Sequence, residues 1–124
     1  MTTKILPITR RGDITFHPNG RIDLTAHVTK VLSLCPGDVI NIACVDERFC
    51  EHYLYVARRA SETVGRHSGT CRPAKNSGRY LRTFCKRLTD YVLFRTRSTT
   101  AIRIRVGAAS EVSGLGIVLP LIGI

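Results

Sequence analysis

The chain has 124 residues, 44% of them hydrophobic, so it can form a domain with a real core and is too apolar for wholesale disorder. The formal net charge is +10, which predicts a polyanionic partner rather than a neutral one. No apolar run is as long as a bilayer span and the N-terminal residues lack the apolar centre of a signal peptide, so we expect a soluble, cytoplasmic protein without membrane contact.

The first predicted elements lie in residues 13–58. Residues 13–24 alternate between apolar and polar side chains in the manner of a strand, and the "HPNG" in their middle interrupts the pattern as a turn or a bulge. A short helix follows Thr25, a good N-cap residue, and Pro36-Gly37-Asp38 ends it with a turn. Residues 39–45 and 53–57 predict two further strands, with Ile40, Ile42 and Cys44 on the core side. This β–α–β–β unit is close to the size below which a chain cannot bury enough surface alone.

The later elements are less regular. Residues 58–78 are rich in Gly, Ser and Arg and predict a long basic loop, with room for a short extended piece. Residues 79–94 predict an amphipathic helix capped by Asn76 or Ser77, with an apolar stripe of Leu81, Phe84, Cys85, Leu88 and Val92. Residues 101–107 predict a strand with arginines on one face. The apolar residues 116–124 predict a buried or interface strand, at an edge or bulge because of Pro120.

The positive charge is concentrated in the second half of the chain. Residues 1–57 hold six basic and six acidic side chains, a net charge of zero. Residues 58–105 hold thirteen basic side chains, eleven of them Arg, against two acidic ones, a net charge of +11. Arginine suits bidentate phosphate contacts, although a basic surface that only aids solubility is the plain alternative.

Residues 20–38 carry a family pattern: Gly-Arg-aliphatic, a helix that ends in Leu, and a Gly-Asp turn before an alternating strand. The matching residues are Gly20, Arg21, Ile22, Leu24, Val28, Leu32, Leu34, Gly37, Asp38, Ile40 and Ile42. The pattern resembles the swapped-hairpin AbrB-like DNA-binding domains, which include SpoVT/AbrB regulators and MazE-type antitoxins. The resemblance covers residues 13–58. It implies an obligate homodimer in which two units exchange hairpins to close one barrel, and DNA binding through basic residues.

The expected fold class is therefore α+β, mainly β. An AbrB-like swapped-hairpin barrel (β-α-β-β) would be followed by a basic loop, one amphipathic helix and two C-terminal strands. We divide the chain into a dimerising barrel unit, residues 1–58, and a basic α+β extension, residues 59–124, packed on the barrel. Because the barrel unit is net neutral, we expect residues 58–105 to supply most phosphate contacts.

The leading functional hypothesis is a homodimeric protein that binds nucleic acid, with duplex DNA as its partner, acting as a transcriptional regulator. The candidate nucleic-acid-binding residues are Arg21, Arg58, Arg59, Arg66, Arg72, Lys75, Arg79, Arg82, Lys86, Arg103 and Arg105. Within this set, Lys75, Arg79 and Arg82 would converge on one phosphate at the N-terminus of the 79–94 helix. The alternative to phosphate binding is a solvated basic surface. For Arg21 it is also an ion pair with Asp23 or Asp38.

Other chemistries are weaker. Cys71 could be a thiolate activated by Arg66 and Arg72, but no Arg stands at phosphatase-loop spacing. Zinc could be held by Cys44, Cys50, His52, His67 and Cys71, but no CxxC spacing occurs. The five cysteines are expected to be reduced, and we expect no enzyme, cofactor or metal. The alternative function is a protein-interaction module whose basic region docks an acidic protein.

Overall fold

The computed structural model describes residues 13–46, 51–56, 71–73 and 81–124. Within these ranges the chain forms nine strands and two helices. The strands are β1 (Ile14–Phe16), β2 (Arg21–Leu24), β3 (Ile40–Asp46), β4 (Glu51–Val56), β5 (Arg72–Pro73), β6 (Leu81–Phe84), β7 (Ile102–Val106), β8 (Ser110–Val112) and β9 (Gly116–Ile122). The helices are α1 (Ala26–Val31) and α2 (Lys86–Thr96).

All strand pairs are antiparallel, and they join into one sheet in the order β3-β4-β9-β7-β1-β2-β6-β5, with β8 added beside β9. The sheet curls into a half-barrel, so the predicted mainly-β class is confirmed at that level. Strands from before and after residue 58 alternate in this order, and both edges of the β1–β2 hairpin are paired within the chain, with β7 and with β6. The two predicted units therefore share one sheet.

Residues 13–24, predicted to be extended with a turn or a bulge at "HPNG", form the β1–β2 hairpin, so the turn is the correct alternative. Ile14, Phe16, Ile22 and Leu24 are all buried, each at most 1% exposed, as their alternation requires. The chain turns between the strands at Gly20, whose φ of +102° is a conformation that favours glycine. A Cβ at Gly20 would also press on the Lys86 backbone at 3.3 Å, so the turn lies tightly against the start of α2.

The predicted helix after Thr25 is α1, and it docks through Val28. Thr25 is the N-cap, but its hydroxyl makes no capping hydrogen bond. The chain turns after the helix where predicted: the Asp38 carboxylate accepts the Cys35 N–H at 2.9 Å, and the Asp38 N–H donates to the Cys35 carbonyl at 3.0 Å. The turn returns the chain to β3.

The two strands predicted over residues 39–45 and 53–57 are β3 and β4, which pair with each other. Ile40 is buried, Ile42 is half-buried and Cys44 is exposed, so the expected core side holds at the start of β3 and fails at its end. Strand β3 is last in the sheet order, which explains why its far end is less covered than the interior strands.

The helix predicted over residues 79–94 is wrong at its start. Residues Leu81–Phe84 form β6, paired with β2, and α2 begins only at Lys86 with Cys85 as its N-cap. Phe84 is therefore 50% exposed on a strand instead of lying on a helical stripe. Leu88 and Val92 are buried on α2 as predicted. The suggested caps at Asn76 and Ser77 lie outside the described residues, and the N-cap of α2 is Cys85.

The C-terminal strand is interior, so of the two positions that Pro120 suggested, an edge or a bulge, the edge is wrong. Strand β9 pairs with β4 on one side and with β8 and then β7 on the other. Pro120 lies between the β8 and β7 pairings, where its missing N–H breaks no ladder bond on that side, and its carbonyl accepts the Gly107 N–H at 2.9 Å. Three strands, β7, β8 and β9, stand where two were predicted.

Among the described residues, neither helix has the length and apolar character needed to cross a membrane.

Candidate nucleic-acid interface

The strand register aligns arginines in a row across the sheet. Arg103 on β7 pairs with Thr15 on β1, which pairs with Asp23 on β2. Asp23 pairs with Arg82 on β6, which pairs with Arg72 on β5. Residues directly opposite each other point to the same face, and neighbouring strands lie about 4.8 Å apart, so the row spans roughly 19 Å along the sheet.

Two further arginines lie on this face, one on each side of the row. Arg105 is two residues along β7 from Arg103, and Arg21 is two residues along β2 from Asp23 and opposite Phe84. We call the five residues the arginine face; they are Arg21, Arg72, Arg82, Arg103 and Arg105. Together with Asp23 they carry a net charge of +4.

Burial shows that the arginine face is the outer side of the sheet. Ile22 and Leu24 on β2, and Ile104 on β7, point inward and are buried. The arginines occupy the intervening positions: Arg72, Arg103 and Arg105 are exposed, and Arg21 and Arg82 are half-buried. The predicted outward alternation of Arg103 and Arg105 is thus present in β7. The other arginines of the face come from β2, β5 and β6.

Asp23 organises the centre of the face. Its carboxylate accepts a hydrogen bond from Arg82 Nε at 2.8 Å, and Arg21 Nε lies 3.3 Å from it without hydrogen-bonding geometry. His17 Nε2 lies 2.9 Å from Asp23 Oδ2 and 3.1 Å from Arg21 Nη2. One ring nitrogen cannot donate and accept at once, and the carboxylate favours the tautomer in which Nε2 carries the proton and donates to Asp23. The carboxylate therefore holds Arg82 through a hydrogen bond and forms an ion pair with Arg21.

The pKa of Asp23 reflects these contacts. Partial burial works to raise the pKa of the carboxyl group, but hydrogen bonds from Arg82 and His17 and the charges of Arg21 and Arg82 outweigh it. The net result is a pKa below the ordinary value of 3.8. The carboxylate is consequently ionised at neutral pH and keeps its arginine partners ordered.

This lowered pKa predicts how the stability of the protein depends on pH. Asp23 stabilises the fold fully above the unfolded-state pKa of about 3.9, and this contribution is lost as the pH falls through the lower folded-state pKa. Asp23→Asn should therefore be less stable than wild type at pH 7, and the difference should shrink between pH 4 and pH 2. Urea unfolding across this range measures it. Asp90→Asn, which removes an exposed i,i+4 partner of Lys86, is the matched control, and an Asp23→Asn difference that does not change with pH would contradict the account.

The structure separates the predicted site residues into three groups. Arg21, Arg72, Arg82, Arg103 and Arg105 share the arginine face. Lys86 is on α2 instead of the sheet, and its ammonium group pairs with Asp90 at 2.8 Å. The others lie outside the described residues; they are Arg58, Arg59, Arg66, Lys75 and Arg79.

The predicted phosphate site at a helix N-terminus is wrong for Arg82. This residue lies on β6 and binds Asp23, three residues before the N-cap of α2. The charge it contributes therefore belongs to the sheet. From the sequence, Asp23 was predicted only as an alternative partner of Arg21. Its contact with Arg82 could not be predicted, because no local pattern links residues 59 positions apart.

Cys71 is not an activated thiolate. It is 1% exposed, and burial, assisted by the charge of Asp38, raises the pKa of its thiol to about 11. Its backbone has a structural role: the Cys71 N–H donates to the Asp38 carbonyl and the Gly37 N–H donates to the Cys71 carbonyl, both at 2.8 Å. The residue fastens the turn after α1 to the start of β5.

Of the suggested zinc ligands that are described, Cys44 and His52 lie opposite each other on β3 and β4, but they form no larger group with Cys71. Cys44 is exposed on β3, His52 is buried beside Tyr91, and Cys71 is buried at the turn after α1. Cys50 and His67 lie outside the described residues. Across residues 13–46, 51–56, 71–73 and 81–124, no group of three or more His, Cys, Asp or Glu side chains could hold a metal ion.

Comparison with known proteins gives no relative: no protein-family model matches this chain, and neither a curated protein nor a solved structure matches it.

Proposed function

We propose that the protein binds nucleic acid, with duplex DNA as the partner, through the arginine face of its sheet. The alignment of Arg72, Arg82 and Arg103 across five strands carries this proposal. Duplex DNA carries one negative charge per about 1.7 Å of axis, so a row of roughly 19 Å meets more phosphates than it has arginines. Each exposed guanidinium group can then contact a phosphate without rearrangement of the sheet.

The pairing of Arg21 and Arg82 with Asp23 supports the same function. An arginine side chain that binding must immobilise loses rotamer freedom, which weakens the complex. Here the carboxylate fixes the Arg82 guanidinium group beforehand through a hydrogen bond and attracts that of Arg21, while both stay partly exposed. Arginine has five donors, so a guanidinium group bound to Asp23 through Nε retains donors for a phosphate.

The homodimer, the AbrB-like hairpin exchange, the cytoplasmic location and the role as a transcriptional regulator belong to this proposal as well. In an exchanged dimer a partner chain would replace pairings that the structure has within one chain, such as β1 with β7. A dimer would present two arginine faces to one duplex and raise the affinity through the effective concentration of the second face.

A salt titration of duplex binding tests the proposed function. Release of counterions from about five phosphates predicts that log K falls with log salt concentration with a slope of about −4 to −5. Fluorescence anisotropy of a labelled duplex with the full chain measures the slope. No duplex binding at low salt, or an affinity independent of salt, would refute the proposal. Binding of an acidic protein that heparin and DNA fail to displace would instead favour a protein-interaction module.

A further inference from the structure

Helix α2 presents an aromatic and basic surface away from the core. Its buried residues, Leu88, Thr89, Val92 and Leu93, lie on one side. Arg87, Tyr91 and Phe94 are spaced four and three residues apart and therefore lie together on the opposite side. Phe94 is 80% exposed and Tyr91 is 40% exposed, and Arg87 is also exposed. We call these three residues the α2 ridge.

A cleft of about 480 Å³ adjoins the ridge, between α2 and the hairpin of β3 and β4. Its helix wall includes Arg87, Leu88 and Tyr91, and its sheet wall includes Ile42 and His52. Ligand sites in proteins combine such an apolar lining with a few polar groups that fix orientation. The cleft is large enough for one planar heterocycle, since sites for small ligands start at about 300 Å³.

Tyr91 is held in position at the mouth of this cleft. Its hydroxyl lies 2.6 Å from Nε2 of His52, and the two rings are tilted by 53° with centroids 5.5 Å apart. His52 is only 3% exposed, so its ring is a fixed anchor. An aromatic ring fixed in this way offers a flat stacking surface at little further cost in conformational entropy.

The charge around the ridge indicates what it contacts. Arg87, Arg95 and Arg97 are exposed on or just beyond α2, and the one carboxylate that lines the cleft among the described residues, Asp90, is paired with Lys86. A largely exposed Phe among arginines suits a partner that combines flat apolar rings with negative charge. Single-stranded nucleic acid has both, because its unpaired bases stack on aromatic side chains while its phosphates meet cations. Only 6% of the residues are aromatic, but Tyr91 and Phe94 lie together on the ridge and can form a stacking surface.

We propose that the α2 ridge and its cleft form a second nucleic-acid site, which binds single strands. One base stacks on Phe94, a neighbouring base enters the cleft against Tyr91, and Arg87 contacts the phosphate near them. The site stands on its own observations and is distinct from the arginine face, since α2 packs through its buried side into the core that lies beneath the sheet.

Binding of a fluorescein-labelled thymidine 12-mer to the full chain tests the proposal. Phe94→Ala should weaken binding about tenfold, because base–aromatic stacking contributes strongly per base. Arg87→Ala should weaken binding and make the log–log salt slope shallower by about 0.7. Ile117→Ala, which truncates an exposed hydrophobic side chain on β9, is the matched control and should bind like wild type. Circular dichroism checks that each variant keeps the fold.

Binding of the single strand by Phe94→Ala and Arg87→Ala at wild-type affinity would overturn the proposal, as would an absence of single-strand binding by the wild-type chain at low salt. Binding of an acidic peptide that depends on Phe94, with no effect of Phe94→Ala on the oligonucleotide, would overturn it in favour of protein docking. These outcomes are independent of the duplex affinity, so they are distinguishable from failure of the arginine face.

Discussion

Replacing Arg103 and Arg105 together with Ala should weaken duplex binding about 100-fold at moderate salt. A hydrogen bond to a charged group contributes about 1.5 kcal/mol or more, so the loss of two phosphate contacts is expected to cost roughly 3 kcal/mol. The salt slope should become shallower by about 2, since each lost phosphate contact removes about 0.9. Both side chains are exposed on β7, so the stability of the fold should change little.

The matched control is Lys30→Ala combined with Ser113→Glu. This pair also lowers the net charge by two, at exposed positions on α1 and in the turn between β8 and β9, away from the arginine face. We expect its duplex affinity to fall by only a few fold through the long-range field. Equal losses in the two double variants would mean that net charge alone drives binding, and the arginine face would then be rejected.

Phe16→Ala should have the largest effect on stability. Phe16 lies on β1 near the middle of the sheet, is 1% exposed, and packs in the hydrophobic core cluster. Truncation of a buried Phe to Ala costs about 3–5 kcal/mol, which is a large share of the stability of a small domain. Because β1 aligns Arg103 with Asp23, the variant should also lose duplex binding as it unfolds.

Urea unfolding followed by circular dichroism measures this effect, with Phe16→Leu as a milder variant that should remain folded. Phe94→Ala is the control of identical chemistry, and at 80% exposure it should change the free energy of unfolding by no more than about 0.5 kcal/mol. Similar destabilisation by Phe16→Ala and Phe94→Ala would contradict the placement of β1 in the core.

The extended character of residues 13–24 could be predicted from sequence, because alternation marks Ile14, Phe16, Ile22 and Leu24 as the apolar positions. The "HPNG" signal located the interruption but left a turn and a bulge open, and only the pairing of β1 with β2 shows that the chain reverses there. The extended character of β7 could be predicted in the same way, because its arginines alternate with aliphatic residues. Each of these strands carries its own period-2 pattern, so no distant contact was needed to identify it.

The β6–α2 junction could not be predicted in this way. Leu81, Phe84, Cys85 and Leu88 fall at helical spacing, and no Gly or Pro separates the strand from the helix. Only the pairing of β6 with β2 makes residues 81–84 extended, and it leads to the extended φ of −155° at Cys85 where α2 starts. A strand of four residues is too short for its own alternation to outweigh the helical pattern.

The candidate site depends on register, which the sequence does not display. The individual arginines are visible as a concentration of charge, but their alignment requires four strand pairs between segments far apart in the chain. Asp23 illustrates this: its net-neutral neighbourhood gives no sign that it fixes Arg82. Likewise, the exposure of Phe94 follows from the direction in which α2 docks. The helix predicted over residues 79–94 did not include Phe94 in its apolar stripe, so nothing in the sequence singled this residue out.

The most direct test is arginine footprinting with phenylglyoxal, read by mass spectrometry, with and without a saturating duplex. If the arginine face binds the duplex, Arg72, Arg103 and Arg105, which are exposed in the free protein, should be protected from modification. Arg87 and Arg97, on the α2 side, should stay reactive. Unchanged modification of Arg72, Arg103 and Arg105 in a sample whose duplex is fully bound would contradict the arginine face as the binding surface.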